Sequence, residues 1–401
     1  MSGHFDTSDA LLARILGRRR SLFADDVEAN EAALAEAIGG ARLLVVGAAG
    51  SIGGAFVRQV ARYRPRALHL VDINENTLVE VVRDLRSSRL ALPDDFRSLS
   101  IDFGSAEFGG AVRALGPYDA FVNFSAMKHV RSERDVFSLM RMIEVNIRAL
   151  ADWLASPPAA SLSRAFSVST DKSVRPVNLM GATKNLMEQA LFGHGARLSA
   201  TSARFANVAF SAGSLLEGFE LRLAKRQPIA APMDVKRYFI SHEEAGQLCL
   251  LGCFLGRSGE VVFPRMTPAD DLMGFADIAT AFLHHHGLEP LPCGSEDEAR
   301  AITDIPAGRW PCFFSRSDTT GEKSFEEFHR PTDVLDTARY REVAVVREAA
   351  PDPAVLAGFL DTIRALRGRA EWHKAEVVDA IRAAVPELDH VELDRSLDQK
   401  M

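Results

Sequence analysis

The tightest constraint on this chain lies at residues 43–63, where an apolar run, Leu43 to Val46, meets three evenly spaced glycines and then a segment of helical period, Ala55 to Tyr63. The loop reads Gly47-Ala-Ala-Gly50-Ser51-Ile52-Gly53. Glycine lets a strand turn sharply into a helix, and the N–H groups and dipole at that helix start attract a phosphate. The strand–loop–helix context separates such a phosphate loop from chance glycines.

Around this unit, short apolar or β-rich runs alternate with longer helical segments. The predicted strands are Leu43 to Val46, Ala67 to Val71, Ser98 to Ile101, Ala120 to Phe124, Ala165 to Val168 and Ser199 to Arg204. This alternation predicts an α/β fold with a Rossmann-type, doubly wound parallel sheet. Residues 8–38 read as helical, stopped by Gly39-Gly40. After Asn207 the alternation weakens and prolines punctuate shorter elements, as in a smaller lobe at the C-terminal edge of the sheet. From Pro351 the residues Leu356, Phe359, Leu360, Ile363 and Leu366 resume helical spacing. The expected organisation is a helical extension (1–40), a dinucleotide-binding domain (41–210), a mainly substrate-binding lobe (211–345) and a second helical extension (346–401).

The loop residues Gly47, Gly50, Ser51, Ile52 and Gly53 are thus candidates to hold a dinucleotide. Asp72 ends the second strand, where a carboxylate accepts from the adenosine ribose and repels a 2′-phosphate, which favours NAD. Its alternative is a cap on the helix starting near Asn74. Asp102, after the third strand, is a candidate adenine contact or a simple turn aspartate.

Composition narrows the partners. The net charge of −7, from 47 basic and 54 acidic residues, leaves no large positive field for nucleic acid or an anionic membrane. Arg18-Arg19-Arg20 reads as a solvated helix end. Cys249, Cys253, Cys293 and Cys312 form no CxxC pair, and Cys249 and Cys253 lie among leucines as core residues, so no metal site is expected. No run approaches the ~20 apolar residues of a membrane span. With no signal-peptide pattern at the start, the expected setting is the cytoplasm.

The most informative stretch is Ser167-Val-Ser169-Thr170-Asp171-Lys172-Ser-Val-Arg175-Pro176-Val-Asn178-Leu-Met180-Gly181-Ala-Thr-Lys184. A strand ends in polar groups, and a helix follows with Lys184 on its first turns. The pattern resembles the short-chain dehydrogenase/reductase superfamily, but Met180 stands where that superfamily has a tyrosine general base. A thioether cannot take a proton there. STDKxxxPxNxMGxTK is similar to the nucleotide-sugar 4,6-dehydratases of the polysaccharide-biosynthesis family, whose longer members carry this Met. Lys128-His129-Val130, Asn146, Arg204-Phe-Ala-Asn207-Val208, Arg237-Tyr238-Phe239 and Gly321-Glu322-Lys323-Ser-Phe-Glu-Glu327 extend the resemblance. The flanks Lys128 to Glu133, Leu139 to Met142, Ser317 to Lys323 and Leu397 to Met401 resemble the soluble dehydratase of legionaminic-acid biosynthesis.

The resemblance implies oxidation of a sugar C4 by resident NAD, loss of water across C5 and C6, and return of the hydride to C6. It makes Asp171 the acid at C6, Lys172 the base at C5, Thr170 a partner of the C4 oxygen and Lys184 the holder of the nicotinamide ribose. It assigns Arg237 to the substrate diphosphate and Asn207, Glu322 and Lys128 to the substrate, with His129 either in the site or structural. The implied substrate is UDP- or GDP-N-acetylglucosamine; the residues leave the carrier and the base for the C4 hydroxyl open. Rival readings are a 4-epimerase and a non-catalytic dinucleotide-binding module. The superfamily further implies a homo-oligomer joined through Phe137 to Leu154 and Met180 to Leu191.

Overall fold

The computed structural model describes residues 10–269, 271–316 and 326–390. Helices α1 (Ala10–Leu16), α2 (Ala24–Ala29) and α3 (Glu31–Gly39) precede β1 (Arg42–Val46), the glycine loop and α4 (Ser51–Ala61). The alternation continues with β2 (Ala67–Asp72), α5 (Glu75–Ser87), β3 (Asp95–Ser100), α6 (Ala106–Leu115) and β4 (Ala120–Asn123). Next come α7 (Val136–Ile143), α8 (Ala149–Ala155), β5 (Arg164–Val168), α9 (Leu179–Phe192) and β6 (Ser199–Ala203). All six expected strands are present. β3 starts three residues earlier than expected because it is the sheet's edge, half exposed, so apolar residues mark only its end.

The chain then forms β7 (Asn207–Val208), α10 (Leu215–Ala224), β8 (Ile229–Pro232), β9 (Lys236–Ile240), α11 (His242–Leu255) and β10 (Glu260–Pro264). β11 (Leu272–Gly274), α12 (Phe275–His285), β12 (Glu289–Pro292), α13 (Glu296–Ala301), β13 (Arg309–Ser315), β14 (Leu335–Asp336) and β15 (Val343–Arg347) follow, then α14 (Pro353–Arg367) and α15 (Lys374–Ala384).

The main sheet runs β14-β15-β10-β6-β5-β4-β1-β2-β3. The strands from β3 to β10 pair in parallel; β15 joins β10, and β14 joins β15, antiparallel. Sequence order reverses between β1 and β4, which opens a crevice at their C-terminal ends. Successive β1 side chains feed opposite layers: Leu43 and Val45 pack with Phe56, Val60 and Phe254, while Leu44 and Val46 pack with Phe121, Phe108 and Trp153. This is the Rossmann-type architecture the alternation predicts.

Two smaller sheets, β11-β9-β7 and β12-β13-β8, build the second lobe. That lobe is not one segment. α11, β10, β14 and β15, which fall within 211–345 or just past it, extend the central sheet and its helix layer instead. β10 and β15 are buried on both faces, so their apolar runs belong to the larger core.

Both terminal extensions pack on their own chain. Leu11, Leu12, Ile15 and Leu16 of α1 join Phe219, Ile278 and Phe282 in the smaller lobe, whereas Leu34 and Ile38 of α3 enter the core of the main sheet. The single helical segment expected over 8–38 is therefore three helices serving two lobes. Arg18 corrects the reading of a solvated helix end: its Nε is 2.7 Å from Oε1 of the fully buried Glu244, and its Nη2 donates to Phe239 O at 3.2 Å. A chain turn at Gly17 carries the guanidinium inward, between the lobes.

At the other end, Phe359, Ile363 and Leu366 of α14 and Val377, Val378 and Ile381 of α15 cover Leu139, Met140, Ile143 and Ile147 on α7 and the turn after it, and Leu179, Ala182 and Leu186 on α9. These are the helices expected to join subunits. Within this chain α14 and α15 already cover much of their apolar face, though Phe137 stays exposed.

Candidate active site

The phosphate loop follows β1 directly. Gly47 has φ +69°, and a Cβ there would lie 2.5 Å from Ser125 N, so the turn and the approach of β4 both exclude a side chain. At Gly53 a Cβ would come within 2.1 Å of Gly47 O, which lets α4 start against the loop. Gly50 is the residue before α4, whose first-turn N–H groups lack partners within the helix. The Ser51 hydroxyl instead accepts from Ala212 N at 2.8 Å, tying the loop to the smaller lobe.

Asp72 is no helix cap, since Asn74 holds that role through Thr77 N. Its Oδ2 accepts from Ala49 N and its Oδ1 from Asn74 N, each at 2.9 Å. Asp102 pairs with Arg141 at 2.7 Å. Gly47, Gly50, Asp72, Ile73, Asp102, Phe124 and Arg141 help line a cleft of about 290 Å³ at the β1/β4 reversal. Close backbone at one end and a carboxylate at the end of β2 fit the pyrophosphate and adenosine ribose of a dinucleotide.

At the end of β5, Thr170 has extended backbone and its hydroxyl donates to Asp171 Oδ1 at 2.8 Å. Lys172 Nζ lies 3.2 Å from the same oxygen. The Asp171 carboxylate is buried, while the lysine is partly open to solvent. Across from this turn, α9 is capped by Asn178, which accepts from Gly181 N at 2.8 Å. Met180 is buried, and its N–H donates to Glu133 at 2.9 Å. Burial holds Glu133 above the usual carboxylate range, against the pull of that N–H.

Lys184, two turns into the site, donates to Val168 O at 2.6 Å. Desolvation lowers its pKa to about 8, partly opposed by Glu188. Glu188 was not foreseen, although its i,i+4 spacing from Lys184 was a signal. It accepts from Ser173 Oγ at 2.9 Å and from the fully buried Arg204, whose Nε lies 3.0 Å away. Burial would raise Glu188, but Arg204 and the serines outweigh it and hold it low. Gly181 was also missed: a Cβ there would meet Lys172 O at 2.4 Å, so this glycine lets α9 press against the Asp171–Lys172 turn.

On the opposite side β7 and β9 pair and bring Asn207 beside Arg237 and Tyr238. All three converge on Glu326, which the sequence reading passed over in favour of Glu322. Asn207 Nδ2 donates to Glu326 at 2.8 Å, Tyr238 N at 3.3 Å, and Arg237 Nε stands 3.7 Å away. Burial first, then the charge of Asp171, push Glu326 up to about 7. Glu322 lies outside the described residues.

Lys128 donates to Ala212 O at 2.7 Å, and desolvation lowers its pKa even though the residue as a whole is exposed. It therefore faces the junction of the lobes. The exposed His129 ring lies against Gly213, where a Cβ would come 2.7 Å from its Cε1. Cys249 and Cys253 are buried in the main core. Among the described residues, no group of three or more His, Cys, Asp or Glu is arranged to hold a metal, and no helix is long and apolar enough to cross a membrane.

Comparison with known proteins places this geometry in context. The chain is similar to an uncharacterized membrane protein, MJ1061, of Methanocaldococcus jannaschii, with 30% identity over 56% of this chain and 66% of that one. It is 25% identical to a UDP-N-acetylglucosamine 4,6-dehydratase (inverting) of Campylobacter jejuni, over 61% of this chain and 73% of that one. It spans from 40% to 66% of the length of three other curated comparisons, the Methanocaldococcus protein included. In fold it resembles DesIV, a dTDP-glucose 4,6-dehydratase from Streptomyces venezuelae solved with NAD bound, with TM-score 0.53, 19% identity and coverage of 83% of this chain and 99% of that one. A family model described as polysaccharide biosynthesis protein matches residues 43–348, and the chain belongs to that family.

Proposed function

We propose that the chain is an NAD-dependent nucleotide-sugar 4,6-dehydratase acting on UDP- or GDP-N-acetylglucosamine, in the making of legionaminic acid or a related surface glycan. The observation that carries this reading is the adjacent acid and base, Asp171 and Lys172, held 3.2 Å apart on one turn beside a methionine that cannot titrate. Epimerisation at C4 needs no second proton-transfer pair. Elimination across C5 and C6 needs one, because the leaving hydroxyl must be protonated as the C5 proton is removed.

The cleft at the β1/β4 reversal, with Gly47, Gly50, Ser51, Ile52, Gly53, Asp72 and Asp102, would hold NAD, and Lys184 its nicotinamide ribose. Bound there, NAD would take up the hydride from C4, which acidifies the C5 hydrogen, and give it up at C6, so that the cofactor ends unchanged while C4 stays a ketone. The similarity to a C. jejuni dehydratase and to the NAD-bound DesIV fold supports this assignment.

The chain's own groups account for each proton. Thr170 Oγ1 donates to Asp171, so a C4 hydroxyl bound against Thr170 would pass its proton through it to the Asp171 carboxylate. Lys172 then takes the C5 proton while Asp171 returns its proton to the departing C6 hydroxyl as water. Lys172 finally reprotonates C5, and both groups regain their starting states. Met180 fills the place of a phenol and keeps a competing acid away from C4. Arg237 would clamp the diphosphate through its planar guanidinium, with Asn207, Lys128 and Glu322 around the rest of the substrate.

Incubation with UDP- or GDP-N-acetylglucosamine in deuterated water tests the reading. The expected product is a 4-keto-6-deoxy sugar carrying deuterium at C5, absent with Asp171→Asn or Lys172→Ala. A C4 epimer with its C6 hydroxyl intact would replace dehydration by epimerisation, and NAD binding without turnover of either sugar would favour a silent module.

A further inference from the structure

Glu326 is only 5% exposed, and the reaction above gives it no task. Its carboxylate accepts from Asn207 and from the backbone of Tyr238, and Arg237 forms a longer ion pair with it at 3.7 Å. Among the described residues, the charged and titratable groups around it come from three places. Asp171, paired with Lys172, acts on it electrostatically from the turn after β5; Arg237 stands near it from β9, where the Tyr238 phenol feels the charge of Glu326 and that of Asp271, before β11. β7 contributes the neutral Asn207. Among these, Arg237 is the cation nearest Glu326, and at 3.7 Å it is beyond hydrogen-bond distance.

Two carboxyls sharing a buried region do not both ionise without a cation to offset their repulsion. Arg237 is also the residue read as the diphosphate clamp. A guanidinium drawn to a phosphate takes away from Glu326 the nearest described cation that offsets Asp171.

We infer that Glu326 couples substrate binding to proton uptake: as Arg237 engages the diphosphate, Glu326 takes one proton from solvent, leaving the negative charge of the pair on Asp171. The inference rests on the nucleotide-sugar reading of Arg237. It gives the site a loading step. An ionised Asp171 is the form that accepts the C4 proton through Thr170, and a neutral Glu326 stabilises that form by removing a like charge. The proton returns to solvent when the product leaves and Arg237 pairs again with Glu326, so none is consumed.

The test mixes the whole chain with UDP-N-acetylglucosamine, and separately with its GDP counterpart, in weakly buffered solution containing a pH indicator. The substrate's diphosphate diester does not titrate near neutrality and dehydration releases no net proton, so absorbed protons count binding alone. Losing the guanidinium raises Glu326 further from its value of about 7, so net uptake approaching one proton per bound chain is expected just above neutral pH. Glu326→Gln, its fold checked by circular dichroism, should bind the sugar nucleotide in equilibrium dialysis and absorb none. Binding by the wild-type chain without uptake overturns the inference and leaves the dehydratase reading standing. Uptake that persists in Glu326→Gln but vanishes in Asp171→Asn assigns the proton to Asp171 and overturns it equally. Failure of either sugar nucleotide to bind overturns the reading of Arg237 and this inference together.

Discussion

Ile381 offers a direct test of the covered face. It is fully buried on α15, within the apolar cluster that includes Ile143 and Leu186. Ile381→Asp forfeits about 1.5–3 kcal/mol of burial and sets a carboxylate among apolar side chains, at a further cost of several kcal/mol. The sum exceeds about 5 kcal/mol, above what most single substitutions cost. α14 and α15 lie outside the central sheet, so the expected response is undocking of the hairpin and not loss of the sheet. Hydrogen exchange followed by peptide should then show faster exchange in residues 139–147 and 179–186, with β1 and β4 unchanged. Light scattering should show a mass that grows with concentration as the uncovered face associates. Val355→Asp, on the 37% exposed side of α14, is the control and should change neither. Activity should fall as well, because the segment that follows α15 is tied to the stretch between Lys172 and Met180: Asp389 N donates to Pro176 O at 3.0 Å. The reasoning fails if 139–147 and 179–186 keep their protection while α15 exchanges freely.

Other expectations follow from the same geometry. Lys184 has a folded pKa lowered from 10.5 to about 8, so its contribution to stability is complete above about 10.5 and is lost as pH falls through 8, whereas the charge that would hold a ribose is lost as pH rises through 8. Between pH 7 and 9.5 the melting temperature should therefore gain from this group while NAD affinity weakens, and Lys184→Met should flatten both trends; parallel slopes in the variant would count against it. Arg204→Met leaves Glu188 buried without its main partner and should cost about 3–5 kcal/mol in urea unfolding. Adding Glu188→Gln should recover part of that loss, and a double variant no better than the additive sum would deny the coupling. Gly53→Ala must move α4 away from Gly47 O and should cost about 1–3 kcal/mol without cofactor, while Gly50→Ala, whose Cβ would find ordinary contact at 3.5 Å, should stay within about 1 kcal/mol. Equal melting temperatures for the two would show that the close approach at Gly53 is not limiting.

Which parts were legible in the sequence follows from how far apart the causes lie. The phosphate loop, the six parallel strands and the Thr170–Lys184 stretch are written in contiguous residues, since period, turn chemistry and helix start all act over a few positions. Asp72 was legible as a strand-end carboxylate, though not its hold on Ala49 N. What escaped depends on partners remote in sequence. Arg18 reads as one of three surface arginines until Glu244, 226 positions away, meets it. The helical spacing of α14 announces an amphipathic helix but not which face receives it; only the fold shows that α7 and α9 do, where a second subunit was expected. Glu326 is the sharpest case. It sits beside Glu327 in an acidic run where either could be exposed, and Glu327 indeed pairs with Arg175 at the surface. Glu326 turns inward because Asn207 and Tyr238, 119 and 88 positions away, supply the donors that make burial of a carboxylate tolerable. Local pattern picks out Asp171 and Lys172 as the candidate acid and base, but the second carboxyl, Glu326, comes to them only through the assembled lobes.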